Sequence, residues 1–313
     1  MLEIGVQTKG IISMEDGGPW EGFKKIHAAG FNRVDFNLDA FLLNSNIYAG
    51  KLNSFFDKEL TEIVNYFAEY RRAMEHYGIN PSQMHAPYPV RVQARPDVTH
   101  YMQTEVIPKS IVVAEVLEVP WTVIHPFKLQ YTHGKKRERE ENLEYFKMLI
   151  PLMKQCGGVK VCFENLYENV GKRIVEGVCA EPEDAIWYVD TLNEEAGEEL
   201  FGMCLDTGHL QLVKRDSYDY ITRLGSRIKV VHLHENDSID DLHEMPFTFG
   251  TGNERSQKWD GIFQGLRDIG FDGTLSFETF PCVNAFPYRM KEDVLKTIHG
   301  IGEYFVEQIE GGR

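Results

Sequence analysis

Eight short runs rich in β-branched, aromatic and other apolar residues recur along the chain and alternate with longer stretches whose apolar residues step by three and four. That alternation constrains the fold more than any other feature, because strand, helix and strand in succession build a parallel βαβ unit. The pattern predicts strands at 2–8, 32–38, 82–86, 121–125, 160–164, 201–206, 228–234 and 274–278. Amphipathic spacing, as in Leu60, Ile63, Val64, Phe67, Tyr70, Met74 and Tyr77, predicts a helix with one buried face. Further helices are expected near 19–29, 99–118, 137–155, 182–197, 210–224, 256–269 and 294–309, with a kink at Pro108. No low-complexity linker interrupts the series. The 313 residues, which by length alone suggest two domains, therefore read as one domain, 1–313, an α/β fold of the (β/α)8 TIM-barrel class.

Strand parity sharpens this expectation. In VCFE, Val161 and Phe163 share one face while Cys162 and Glu164 share the other; in FGMCLD, Phe201, Met203 and Leu205 oppose Gly202, Cys204 and Asp206. In TLSFE, Leu275 and Phe277 oppose Thr274, Ser276 and Glu278. A barrel interior is crowded and its outside packs on helices, so the bulky face should point outward and the small face toward the axis. The carboxylates that end the small faces then point into the mouth.

Ionisable side chains end nearly every strand: Asp35 and Asn37, His85 in MHAPY, His125 in VIHP, Glu164 in FENL, Asp206 and His209 in LDTGH, His232 and His234 in VVHLHEND, and Glu278 in SFET. Asp241 and His243 follow the seventh strand. Asp206 or Glu164 alone would serve as a helix cap, and a single strand-end histidine is ordinarily a hydrogen-bonded rim residue. Caps do not require carboxylates on strands five, six and eight together with imidazoles on four and seven. Such a convergence is costly unless a cation neutralises it, and carboxylate oxygen with imidazole nitrogen suits Mn²⁺, Mg²⁺, Co²⁺, Fe²⁺ or Zn²⁺.

Charge and cysteine usage narrow the function classes. Lys and Arg number 33 against 48 Asp and Glu, a net charge of −15, which argues against broad attachment to nucleic acid or an anionic membrane. The basic run Lys135-Lys136-Arg137 with Arg139 is interleaved with glutamates and reads as a solvated helix end. Five scattered cysteines without a CxxC pair indicate neither a disulfide framework nor a structural zinc module. The beginning, MLEIGVQTKG, has no basic region followed by a long apolar one, and a cytoplasmic location is expected.

The motifs FENL, LDTGH, VVHLHEND and SFET, supported by HAPY and VIHP, make the chain resemble the xylose isomerase-like TIM-barrel superfamily over nearly its whole length. That superfamily includes sugar phosphate isomerases and epimerases, ketose 3-epimerases, inosose dehydratase and endonuclease IV. The resemblance to the ketose 3-epimerases implies one divalent ion, most often Mn²⁺, held by Glu164, Asp206, His232 and Glu278, with His234 as the alternative on the seventh strand. It implies a metal-dependent isomerase or epimerase of carbohydrate metabolism. The substrate would be a sugar, sugar phosphate or related polyol or keto acid. Glu164 and Glu278 would move a proton through a metal-stabilised enediolate, and the same site would also suit a dehydratase. His85, His125, His209, Glu235, Asp241 and His243 would bind substrate or a second metal. Trp20, Trp121 and Phe127 are candidates for an apolar face against a sugar. Homo-oligomers are common among such relatives.

The resemblance also covers a rival. Endonuclease IV holds three zinc ions with nine ligands, for which this sequence offers His85, His125, Glu164, Asp206, His209, His232, Asp241, His243 and Glu278. An abasic-site DNA hydrolase and a ligand-binding barrel without catalysis are thus the alternatives. The loops HAPYPV and HENDSIDDLHEMPFTFGTG favour the sugar-acting branches.

Overall fold

Period-two runs become strands where the pattern marks them. In a computed structural model that describes residues 2–311, β1 (Glu3–Gln7), β2 (Arg33–Asn37), β3 (Asn80–His85), β4 (Trp121–Val123) and β5 (Lys160–Glu164) are followed by a hairpin, β6 (Tyr167–Val170) and β7 (Arg173–Glu176). Then come β8 (Phe201–Asp206), β9 (Ile228–Leu233) and β10 (Thr274–Phe277). The strands other than the hairpin close a parallel barrel in the order β1-β10-β9-β8-β5-β4-β3-β2. The hairpin lies outside it, antiparallel, turning at Gly171 with φ 65°. Its strands are four residues long with no fully buried residue, so they carry no buried apolar face to reveal them.

The parity expectation holds. Val123, Cys162, Cys204 and Val230 form a small interior cluster, with Trp121 packed against it. The bulky residues belong to the large core shared with the helices: Phe163 meets Phe146 of helix Lys135–Gln155 edge to face at 4.6 Å, and Phe277 meets Phe305 of helix Lys291–Glu310 at 5.6 Å. Each such buried phenylalanine contributes roughly 1.5–3 kcal/mol relative to an exposed one. Their rigid packing holds the strand ends in register.

Two helices depart from expectation. The stretch 99–118 is Pro96–Tyr101, a π-helical turn at Met102–Val106, and Ile107–Val116. The wide turn lies where Pro108 cannot donate to the carbonyl four residues earlier. The stretch 210–224 divides into Thr207–Leu212 and Ser217–Leu224, because Lys214 adopts φ 56° and Asp216 caps the second piece by accepting Asp219 N–H at 2.8 Å. Among the described residues no helix is long and apolar enough to cross a membrane.

Candidate active site and metal centre

Barrel parity carries four donors to one point. Glu164 ends β5, Asp206 ends β8, His232 lies in β9 and Glu278 follows β10, and all four are buried. His232 Nδ1 lies 3.1 Å from Glu278 Oε2, 3.5 Å from Glu164 Oε2 and 3.9 Å from Asp206 Oδ2. His234 instead places Nε2 2.9 Å from Asp206 Oδ2 and stacks on His243 at 3.9 Å. His232, facing three carboxylates, fits the tetrad better than His234, which faces one.

Two further groups flank the tetrad. His85 Nε2 and His125 Nε2 are 3.1 Å apart, and His125 Nε2 is 3.1 Å from Glu164 Oε2. On the other side His209 Nδ1 lies 2.9 Å from Glu164 Oε1, while His209 Nε2 and His243 Nε2 approach Asp241 Oδ2 at 3.4 and 3.3 Å. His85–His125–Glu164 and His209–Asp241–His243 each bring ligand atoms within 4.8 Å of one another.

Local structure explains how these side chains are aimed. Asp206 does cap a helix, accepting the His209 N–H at 2.6 Å, so the LDTGH turn delivers Asp206 and His209 together. Gly208 in that turn permits a close approach: a Cβ there would lie 2.1 Å from His234 Cε1. Asn165 ties β5 to β8 by donating to the Asp206 carbonyl at 2.9 Å and accepting its N–H at 2.8 Å. Beneath the tetrad, Asp35 Oδ2 lies 3.1 Å from His232 Nε2 and accepts from Gln83 Nε2 at 3.1 Å. Asp35, noted in the sequence only as a strand-end acid, thus supports His232 from its far side.

Burial alone would push the carboxylates up and the imidazoles down. For Glu164, His125 together with His209 and His232 overrides burial and holds the carboxyl well below its usual range. Burial is likewise overridden at Glu278 by His232 and His243, and at Asp241 by His243 and His209, so both titrate lower than usual. His209 rises against burial because of Asp206 and Asp241, and His243 is raised to about 9, mainly by Asp241 and Glu278. His125 is the exception, where burial wins over Glu164 and the imidazole is lowered. Glu164, Glu278 and Asp241 are therefore ionised at neutral pH.

These features fit a divalent cation. Donors are oxygen and nitrogen, Glu164 and Glu278 are ionised, and both ring nitrogens of His232 are buried without a hydrogen-bond partner, Nδ1 where three carboxylates converge. Glu164, Asp206, His232 and Glu278 are the residues that would hold it.

A cavity of about 410 Å³ opens above, lined by His85, His125, Glu164, His209, Asp241, His243 and Glu278 at its floor. Phe127 lines it, but Trp20 sits on the helical shell near His76, and Trp121 lies at the opposite end of the barrel. Glu235 also stands apart: its Oε1 accepts the Gln257 N–H at 3.0 Å, so it orders the loop after β9 and does not face the cavity. The upper wall contains Tyr88, the last residue of HAPY, stacked on His125 at 4.3 Å, and residues outside the motifs, Arg91, Lys128 and Tyr167 of the hairpin. They follow strand ends or lie on the hairpin, where no periodicity marks them.

Residues 23–296 match the family model described as a xylose isomerase-like TIM barrel. The uncharacterized protein y4fM of Sinorhizobium fredii is 27% identical over 213 residues, 64% of this chain and 63% of that protein. The chain thus covers less than two thirds of that curated relative's length. An L-ribulose 3-epimerase structure superposes with a TM-score of 0.70 at 15% identity, covering 100% of this chain and 97% of that one. A D-tagatose 3-epimerase-like protein superposes with a TM-score of 0.65 at 18% identity, covering 97% and 100%. At these identities the superpositions establish the shared barrel.

Proposed function

Because the chain belongs to the xylose isomerase-like TIM-barrel family, we propose that it is a divalent-metal-dependent epimerase or isomerase of a small sugar or sugar-like ketone. The observation that carries this reading is the convergence of Glu164, Asp206 and Glu278 on His232 Nδ1 at the floor of a cavity of sugar size. A divalent ion, Mn²⁺ foremost, would supply Lewis-acid polarisation of a substrate carbonyl. Glu164 and Glu278 come from strands separated by two others around the barrel, so they can address opposite faces of one carbon. Both are ionised at neutral pH, the state that a proton acceptor requires. Proton removal by one and return by the other inverts a carbon beside the carbonyl. Return to the neighbouring carbon gives isomerisation. His209, held by Asn165 and Asp241, and His85 are placed to orient hydroxyls. The sugars named for the superposed epimerases support the assignment.

Glu164→Gln and Glu278→Gln should each abolish turnover across a panel of ketoses, keto acids and inososes while leaving circular dichroism unchanged. Full activity in metal-free protein would overturn the mechanism.

One observation favours a second reading. Glu164 belongs both to the group with His85 and His125 and to the group with Asp206 and His209, and His209 also belongs to the group with Asp241 and His243; such linked groups suit a cluster of metals and an endonuclease IV-like hydrolysis of abasic-site DNA. That reading requires about three zinc ions per chain and cleavage of an abasic duplex; one ion and no cleavage would remove it.

A further inference from the structure

The outer wall of the cavity differs in charge from its floor. Glu164, Asp241 and Glu278 at the floor are each engaged by imidazoles. Above them, Arg91 and Lys128 line the same cavity. Arg91 pairs with Glu141, but Arg137 also binds Glu141, at 2.7 Å, so one carboxylate serves two guanidiniums and a positive charge is left over. Burial and the neighbouring Arg137 both lower the Arg91 pKa. Among the described residues Lys128 makes no ion pair; its Nζ rests 4.8 Å over the Tyr167 ring, at the edge of the hairpin. Desolvation at the mouth lowers the Lys128 pKa, against the pull of Glu164, Asp241 and the cavity-lining Glu168, none of which pairs with it. Glu138, a further acid near Lys128, is pushed up by burial to about 7 and is only partly charged at neutral pH.

An unpaired ammonium crowded at a pocket wall is costly unless a ligand supplies the counter-charge. A lysine is suited to this task because its flexible stem presents a point charge to phosphate or carboxylate. We propose that Lys128, flanked by Arg91, is a specificity-determining residue for an anionic sugar. The substrate's hydroxy-ketone end would meet the acid-rich floor, and a carboxylate or phosphate at its far end would meet Lys128. This rests on the sugar-epimerase reading of the floor.

The test uses three probes that differ only at C6: D-fructose, D-fructuronate and D-fructose 6-phosphate, titrated calorimetrically into the Mn²⁺-loaded protein. At least one anionic probe should bind ten-fold or more tightly than D-fructose. In Lys128→Met that ratio should fall to near one, and Lys128→Arg should restore most of it. The two anionic arms separate carboxylate from phosphate as the recognised group. Equal affinity for all three probes in the unmodified protein, no binding of either anion, or an equal loss for all probes in Lys128→Met overturns the proposal. Epimerisation of each probe is followed in parallel. An anion preference without metal retention or epimerisation defeats the floor reading and leaves Lys128 in place, whereas turnover without anion preference does the reverse.

Discussion

His232 sends its two ring nitrogens into different surroundings: Nδ1 toward three carboxylates, Nε2 toward Asp35 at 3.1 Å. An acceptor beside one nitrogen of a metal-binding histidine favours the proton there and leaves the other nitrogen's lone pair free for the ion. Asp35→Asn should therefore weaken Mn²⁺ retention by about 10–100-fold, read by competition with a chelating dye, while secondary structure is unchanged. Unaltered retention would mean that Asp35 merely fills space. At this scale the sequence was legible where residue type and strand parity agreed, for Glu164, Asp206 and Glu278, whereas His232 followed from the family resemblance; all four converge. It was not legible for Glu235, whose partner is the Gln257 N–H in a loop of no regular period. Nor did it reveal Lys128, whose place on the cavity wall over the Tyr167 ring is set by the loop after β4 and the hairpin.

Among the elements, helix Lys135–Gln155 couples the loop after β4 to the barrel, because Glu138 Oε2 accepts the Leu129 N–H at 2.9 Å. Burial raises the Glu138 pKa to about 7, only partly offset by that hydrogen bond. The folded protein then holds this proton more tightly than the unfolded chain, whose glutamate titrates near 4.5. Its stabilising contribution is full below about pH 4.5 and lost as pH rises through 7. Glu138→Gln keeps an acceptor for Leu129 and removes the ionisation. Urea denaturation should show the variant gaining about 1–2 kcal/mol over the parent between pH 5 and pH 8, the figure reduced for solvent contact. A difference that does not change with pH would contradict this account. The same helix begins with the basic run, and its residues do form surface pairs, as Arg137–Glu141 shows. Arg139 reaches farther, to buried Asp184 at 2.6 Å, tying this helix to Pro182–Ala196. The hairpin β6–β7 is the element that the periodicity left unread, and it supplies Tyr167 to the cavity wall.

Over the whole molecule, closing eight strands brings together charges from residues 164 to 278 in the chain, inside a protein of net charge −15. A cation at the mouth binds the folded barrel and not the dispersed ligands of the unfolded chain, so it stabilises by mass action, about 2.7 kcal/mol at a hundred-fold excess over Kd. Chelation should then lower Tm by roughly 4 °C, reversibly on adding Mn²⁺, and a calorimetric scan with and without chelator checks it. No change in Tm would argue against a bound ion. The sequence by itself determined the eight barrel strands and their parity and the course of the shell helices, though not the hairpin or the breaks within two helices, because period two and period 3.6 are local properties of the chain. It also determined which side chains end the strands. Only the tertiary structure decided that His232 rather than His234 faces three carboxylates, that Asp35 stands behind it, and that Lys128 lines the cavity without an ion pair among the described residues. Those outcomes depend on distances between residues far apart in sequence, and such distances come into being only when the barrel closes.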